Sequence, residues 1–372
     1  MAGDGQIDAG FGERLGRLGP TLLRTLEVME YTLRHLHPPQ LPALRPRLAP
    51  VHDELTRDLE AFSDYPPPAE VAAFHAELVR VGELARDAIA GFALEPAGGE
   101  GADDGIGRAI LSMHRFAEAQ AALYPLRAAL PPFSAFFAEP AVRGLLGRLE
   151  QPDDGEARGG LFRGNGSPET GRGGFDLYVP ESFDGAERLP LIVALHGGSG
   201  NGADFLWTWL REARSRRCLL LAPTSRDRTW SLNAPAVDGE ALVGMVDWID
   251  AKWGVDRERV LLTGLSDGGT MTLLVGLGED VPFTHLAPIA GVLHPLNFAI
   301  GNLDRAEGKP IQLIHGALDW MFPVRLAREA AGVLEDAGAE FVYREIEDLS
   351  HTYPREENAR LLDWLGQPLD VD

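Results

Sequence analysis

From about residue 160 onward, seven short apolar runs are separated by stretches with helical spacing: FDLYV, LPLIVALHG, CLLLAP, RVLLTGLS, HLAPIAGVL, IQLIHGALD and EFVYREI. The helix-like stretches lie near residues 203–216, 238–253, 268–277, 324–337 and 355–365. Strands that are apolar on both faces need helices above and below them. The alternation therefore predicts an α/β fold with a mostly parallel, doubly wound sheet. A first hairpin strand is expected near Leu161, and the strands around 160–180 are expected to run antiparallel to the rest.

The first 150 residues follow a different pattern. Leu22, Leu26, Met29, Leu33 and Leu36 form one apolar stripe at steps of three and four. Pro20 fits the first turn of that helix, where a missing N–H costs nothing. Further stripes run Leu48, Val51, Leu55, Leu59, Phe62; then Val71, Phe74, Leu78, Val81, Ala85, Ala88, Phe92; then Ile106, Ile110, Met113, Ala117, Ala121, Tyr124. HPPQLP, DYPPP and EPAGGEGADDG interrupt them. The expected unit is an antiparallel all-α helical bundle over 1–150, with a short fifth helix around 139–149. A linker at 151–160 opens the second domain, 151–372.

The sharpest motif is Gly264-Leu265-Ser266-Asp267-Gly268-Gly269, between the strand-like RVLLT and the helix-like TMTLLVGL. A serine in G-x-S-x-G between strand and helix sits on a tight turn with its hydroxyl lifted above the sheet. A hydroxyl attacks only when a base removes its proton, and that base needs a third group to orient it. Of ten histidines, His351 in EDLSHTYP follows the last expected strand and is the candidate base; His294 is its strongest competitor. Asp319, at the end of IQLIHGALD, is the candidate acid, with Asp348 next. The order Ser266, Asp319, His351 is that of the α/β-hydrolase fold.

Attack on a carbonyl also requires N–H donors for the charge that develops on oxygen. Asp267 N–H is one candidate. The loop His196-Gly197-Gly198-Ser199-Gly200-Asn201-Gly202 supplies the other, at Gly198 or alternatively Ser199. His196 reads as a structural histidine of that loop. Trp230 in SRDRTWSLN and Trp320 beside Asp319 are candidate substrate-binding residues, together with Ser199. Histidine and cysteine show no metal-ligand spacing, and His35-Leu36-His37 reads as a solvated helix end. The chemistry needs no metal and no cofactor.

A formal net charge of −22 speaks against nucleic-acid and anionic-membrane partners. No stretch approaches the roughly 20 apolar residues of a membrane span. A single cysteine, Cys218, is expected as a buried strand thiol. One cysteine and no apparent signal peptide point to a cytoplasmic location.

Residues from about 160 to 366 resemble the esterase branch of α/β-hydrolases that includes phospholipase/carboxylesterase-like and polyhydroxybutyrate-depolymerase/feruloyl-esterase-like enzymes. The resemblance rests on FDLYVPESF, LPLIVALHGGSGNG, VDWIDAKWGVDRERVLLTGLSDGG and HGALDWMFP. It implies a Ser266–His351–Asp319 triad acting on small or polymeric esters through an acyl-enzyme. Secreted depolymerases of this kind usually carry disulfides, which one cysteine cannot form. Dienelactone-hydrolase relatives use cysteine where this chain has Ser266. Only 17 residues, 294–310, join two of the late strands, too few for a large inserted cap. The helical region is expected to act as a cap or as a homo-oligomerisation surface. Competing readings are a prolyl-oligopeptidase-like serine peptidase, though no propeller is present, and a non-catalytic binding protein with a hydrolase fold.

Overall fold

The computed structural model describes residues 8–94, 102–149 and 158–370. Most of the expected linker 151–160, and most of the breaker EPAGGEGADDG, lies outside them. The chain forms two compact units, Met1–Phe136 and Phe137–Asp372. The division falls before the 150/151 boundary expected from sequence, because residues just past Phe136 are bonded into the second unit. Glu139 N–H donates to Ser215 Oγ at 2.8 Å, and its carboxylate accepts from Arg216 Nε at 2.7 Å.

The first unit contains helices α1 (Ala9–Arg34), α2 (Leu41–Ser63), α3 (Ala72–Ala93), α4 (Ala102–Leu123) and α5 (Pro131–Phe136). Arg24 bonds Glu54 and Thr21 bonds Asp58, while His75 bonds the Phe62 carbonyl, so α1/α2 and α2/α3 run antiparallel. Most residues of the first three stripes are buried; Leu33, Leu36, Val71 and Phe74 are half-buried. Two expectations are corrected. Pro20 lies inside α1, which starts eleven residues earlier, where Asp8 Oδ1 accepts from Phe11 N–H and caps the helix. The fourth stripe is only partly the buried face: Ala117 and Tyr124 are buried, but Ile110 and Met113 are 48% and 39% exposed, and Ala109, Ser112, Phe116, Ala119, Gln120 and Leu123 are buried beside them. Helix α3 approaches so closely at Gly91 that a Cβ there would fall 1.9 Å from Ser112 Oγ. Close helix contact selects small residues over large apolar ones. Of the expected fifth helix, Pro140–Arg148 is wound as a 3-10 segment.

The second unit is built on an eight-stranded sheet: β1 (Gly160–Gly164), β2 (Phe175–Val179), β3 (Leu189–Leu195), β4 (Leu219–Pro223), β5 (Val255–Leu265), β6 (His285–Ile289), β7 (Pro310–Gly316) and β8 (Glu340–Ile346). Their spatial order is β1-β2-β4-β3-β5-β6-β7-β8. The helices are α6 (Gly202–Phe205), α7 (Leu210–Ser215), α8 (Ala236–Trp253), α9 (Asp267–Gly276), α10 (Leu296–Ala299), α11 (Val324–Asp336) and α12 (Glu357–Trp364). The stretch read as one helix over 203–216 is broken into α6, a 3-10 turn and α7. Of the early strands only β2 opposes the rest. It is antiparallel to both β1 and β4, which returns β1 to the common direction. This is the α/β-hydrolase fold, preceded by a helical region.

Strands β3 and β4 are buried at every residue, as their unbroken apolar runs require. Cys218, just before β4, is fully buried, and burial pushes its thiol up to about 12. The parallel registers align Leu195 with Gly264, Leu265 with Ile289, Ile289 with Ile314, and Gly316 with Ile346. Four loops therefore leave the same carboxyl edge of the sheet, where ligands of open α/β sheets bind. They begin at His196, Ser266, Ala317 and Glu347. Among the described residues no helix is long and apolar enough to cross a membrane.

Candidate active site

Ser266 stands between β5 and α9 with φ 57° and ψ −117°, a backbone region costly for any residue with a side chain. Neighbouring glycines make the turn sterically feasible. A Cβ at Gly268 would fall 2.5 Å from Leu195 O, and one at Gly264 would fall 2.6 Å from the Gly268 main chain. Ser266 N–H donates to Ile289 O at 2.9 Å, and Ser266 O accepts from Thr270 N–H at 2.9 Å. The turn is thus fixed on both sides with its hydroxyl raised.

His351 Nε2 lies 2.9 Å from Ser266 Oγ. Its Nδ1 lies 2.7 Å from Asp319 Oδ2. A carboxylate accepts, so Nδ1 carries the proton and Nε2 turns its lone pair to the serine hydroxyl. Asp319 Oδ1 accepts from the N–H groups of Met321 and Phe322 at 2.9 and 2.7 Å. The Phe322 ring packs edge-on against the His351 imidazole at 5.2 Å. The structure brings these three expected residues together. It leaves out His294, whose Nδ1 accepts from Leu296 N–H, and Asp348, which is exposed.

On the donor side, Asp267 N–H opens α9, in the first turn where helix N–H groups lack intrahelical partners and the helix dipole favours negative charge. Ser199, exposed at φ 61°, already gives its N–H to Arg228 O at 2.8 Å. Gly198 N–H remains the candidate donor on the facing loop. A Cβ at Gly198 would fall 2.8 Å from Asp267 Oδ2, which itself accepts from Thr229 Oγ1 at 2.6 Å.

His196 is buried and takes no part in the relay. Its Nε2 accepts from Ser225 N–H at 3.1 Å, and its Nδ1 donates to Gly197 O at 2.6 Å. Desolvation holds its pKa down at about 4, so the ring is a neutral spacer. Trp230 does not fit the substrate-binding expectation. It is 3% exposed, donates its indole N–H to His196 O at 2.8 Å, and stands 4.8 Å from the His196 ring. Its polar edge is consumed by the loop it supports. Trp320 is 48% exposed, next to Leu318 and Met321, which are also exposed.

Two residues escaped the sequence reading. His315, fully buried at the end of β7, bonds Phe322 O through Nε2 at 2.8 Å and lies 3.4 Å from Asp319 Oδ2. Its place four residues before the acid, in the run IHGALD, was the available signal. Arg172 bonds two of the loops behind the site from a glycine-rich stretch that carries no pattern at all. Among the described residues no cluster of His, Cys, Asp or Glu could hold a metal ion.

The fold and these loop ends define an α/β-hydrolase. Residues 242–367, about a third of the chain, match the phospholipase/carboxylesterase family. The chain is 30% identical over 132 residues to feruloyl esterase B of Neurospora crassa, covering 32% of this chain and 43% of that enzyme. It is 22% identical over 156 residues to a probable feruloyl esterase C of Aspergillus terreus, covering 40% and 55%. Over these stretches the chain is similar to esterases of the α/β-hydrolase fold. It spans about half the length of the curated relatives it matches. Among solved structures it is similar to a thermostable esterase, with 22% identity, 56% of this chain and 62% of that one covered, and a TM-score of 0.46.

Proposed function

We propose that the chain is a serine carboxylic-ester hydrolase. The observation that carries this reading is the continuous relay from Asp319 through His351 to Ser266, at 2.7 and 2.9 Å, on a strained strand-to-helix turn. His351 Nε2 takes the Ser266 proton as Oγ attacks the ester carbonyl. The N–H groups of Gly198 and Asp267 receive the oxyanion. The imidazolium then gives its proton to the leaving alcohol, and an acyl-serine remains. Water, deprotonated by the same nitrogen, releases the acid. Asp319 keeps the proton on Nδ1 and balances the imidazolium charge.

The exposed apolar residues Leu318, Trp320 and Met321 flank the acid on one loop. They favour small acyl or aryl esters, with feruloyl esters and polyester chain ends as members of the panel to test. Ser266→Ala is expected to abolish hydrolysis of p-nitrophenyl esters and labelling by a fluorophosphonate while the protein stays folded. Retained turnover in that variant would overturn the reading. Preferential cleavage of aminoacyl p-nitroanilides would instead make the enzyme a peptidase. A folded wild type that neither turns over nor labels would make it a binding protein. For the helical unit we carry forward the role of cap or oligomerisation surface. A soluble chain lacking it, with unchanged kinetics and unchanged mass in solution, would reject both.

A further inference from the structure

The loop that carries Gly198 is held from behind by a guanidinium. Arg172 Nη2 donates to Gly200 O and to Ser225 Oγ, each at 2.8 Å. Its Nε is shared between Asp227 O at 2.7 Å and Ser225 O at 3.2 Å. Gly200 belongs to the loop after β3; Ser225 and Asp227 belong to the loop after β4. Among the described residues no carboxylate lies within ion-pair distance of Arg172, and the bonds made by its Nε and Nη2 all go to neutral acceptors of these two loops. The link continues inward. Ser225 is fully buried and its N–H reaches His196 Nε2, whose Nδ1–H reaches Gly197 O. The main chain on either side of Gly198, at Gly197 O and Gly200 O, is thereby linked to one cation, while Ser199 N–H is held separately by Arg228 O.

Arg172 is itself presented on a closed turn. Ser167 N–H donates to Arg172 O at 2.7 Å, and Gly171 N–H donates to Ser167 O at 2.8 Å. Two residues on, Gly174 O accepts from Thr224 N–H at 2.8 Å, which fastens the turn to the end of β4. The fork is therefore rigid at its base as well as at its tips.

We infer that Arg172 is a positioning residue for the oxyanion hole, acting through the Gly200 carbonyl and the Ser225–His196 chain to fix the Gly198 N–H. The inference rests on the esterase reading above. Donors to a developing oxyanion work only when they are aimed before the charge appears. A loop freed from its clamp still admits the ester, but its N–H no longer meets the tetrahedral oxygen. The loss therefore falls on the transition state and spares ground-state binding.

The test compares wild type with Arg172→Ala and Arg172→Lys, in the full chain. Lysine keeps the charge but cannot fork across two loops. The readouts are kcat and KM on a p-nitrophenyl ester, the affinity of an aryl trifluoromethyl ketone that adds to serine as a tetrahedral adduct, and the melting temperature. Arg172→Ala is expected to lower kcat about 10–100-fold and weaken the ketone by the same factor, with KM within about threefold. Free guanidinium should restore part of the lost kcat in that variant and none in wild type. If Arg172→Ala fails to fold, Arg172→Lys carries the same comparison. A folded variant with kcat within about twofold of wild type overturns the inference, and so does a loss of kcat that leaves the ketone affinity unchanged. Wild-type turnover, measured alongside, separates the two claims. Without it the esterase reading falls; with it, a wild-type-like variant overturns only the role of Arg172.

Discussion

Gly198→Ala tests whether this loop is held as tightly as its contacts indicate. The new methyl carbon would sit 2.8 Å from Asp267 Oδ2, roughly 0.5 Å or more inside ordinary contact. Thr229 Oγ1 fixes that carboxylate at 2.6 Å, so the side chain can swing away only by breaking this bond. Either the bond goes or the Gly198 amide retreats from the proposed oxyanion site. Losing one such donor outright costs about 10²–10³-fold in kcat, so partial withdrawal is expected to cost about 10–100-fold. Asp267→Ala removes the obstructing carboxylate while keeping the Asp267 backbone N–H. The double variant Gly198→Ala/Asp267→Ala should recover much of what Gly198→Ala loses, a coupling of about 1 kcal/mol or more in a double-mutant cycle. The assay is kcat/KM on p-nitrophenyl acetate for all four proteins, with melting curves to exclude unfolding. A Gly198→Ala protein with wild-type activity would mean that the carboxylate yields freely. A double variant no better than the single one would remove the steric argument altogether.

Asp319→Asn should cost about 10⁴-fold in kcat with KM nearly unchanged, because the amide favours the wrong imidazole tautomer; steady-state kinetics check it, and a loss under tenfold contradicts it. His196 carries a pH signature. Its folded pKa is about 4 against 6.5 for the free ring, so between those values the unfolded chain binds a proton that the folded chain refuses. Its contribution to stability is present above pH 6.5 and is lost as pH falls toward 4, by up to about 3 kcal/mol. Urea unfolding at a series of pH values should therefore show a shallower decline on acidification for His196→Asn than for wild type, and equal slopes would refute it.

The second unit was largely legible because its signals are redundant. Buried parallel strands must be apolar throughout, and the elbow around Ser266 cannot form without small neighbours, so pattern and motif mark the same places. Asp319 and His351 could be named from chain order because each lies just past a strand whose end the register aligns with Ser266. The helical unit was read less well where apolar residues surround a helix. On α4, Ile110 and Met113 look like a core face, yet the close approach of α3 at Gly91 buries Ser112 and Ala109 instead. The role of Trp230 is not legible in sequence, because an aromatic ring in a loop has the same spelling whether it faces a ligand or props up a carbonyl. Arg172 and His315 act through side-chain hydrogen bonds, mostly to main-chain carbonyls, and no periodicity or spacing reports such bonds. The direction of β1 depends on which neighbour β2 pairs with, a long-range fact that local patterning does not contain.

The anchoring of Asp319 has a consequence for how the protein can change. Its Oδ1 is gripped by the amides of Met321 and Phe322, groups that every non-proline residue supplies equally. The indole at 320 and the thioether at 321 project outward and contribute nothing to that grip. Mutation can therefore repaint the outer surface of this turn, broadening or narrowing what docks beside the acid, without disturbing the proton relay. Insertions or deletions in the same four residues have no such freedom, since they would carry the amides away with them. Variation here should run through side-chain identity at constant loop length, which makes positions 320 and 321 the natural ones to randomise when new selectivity is sought.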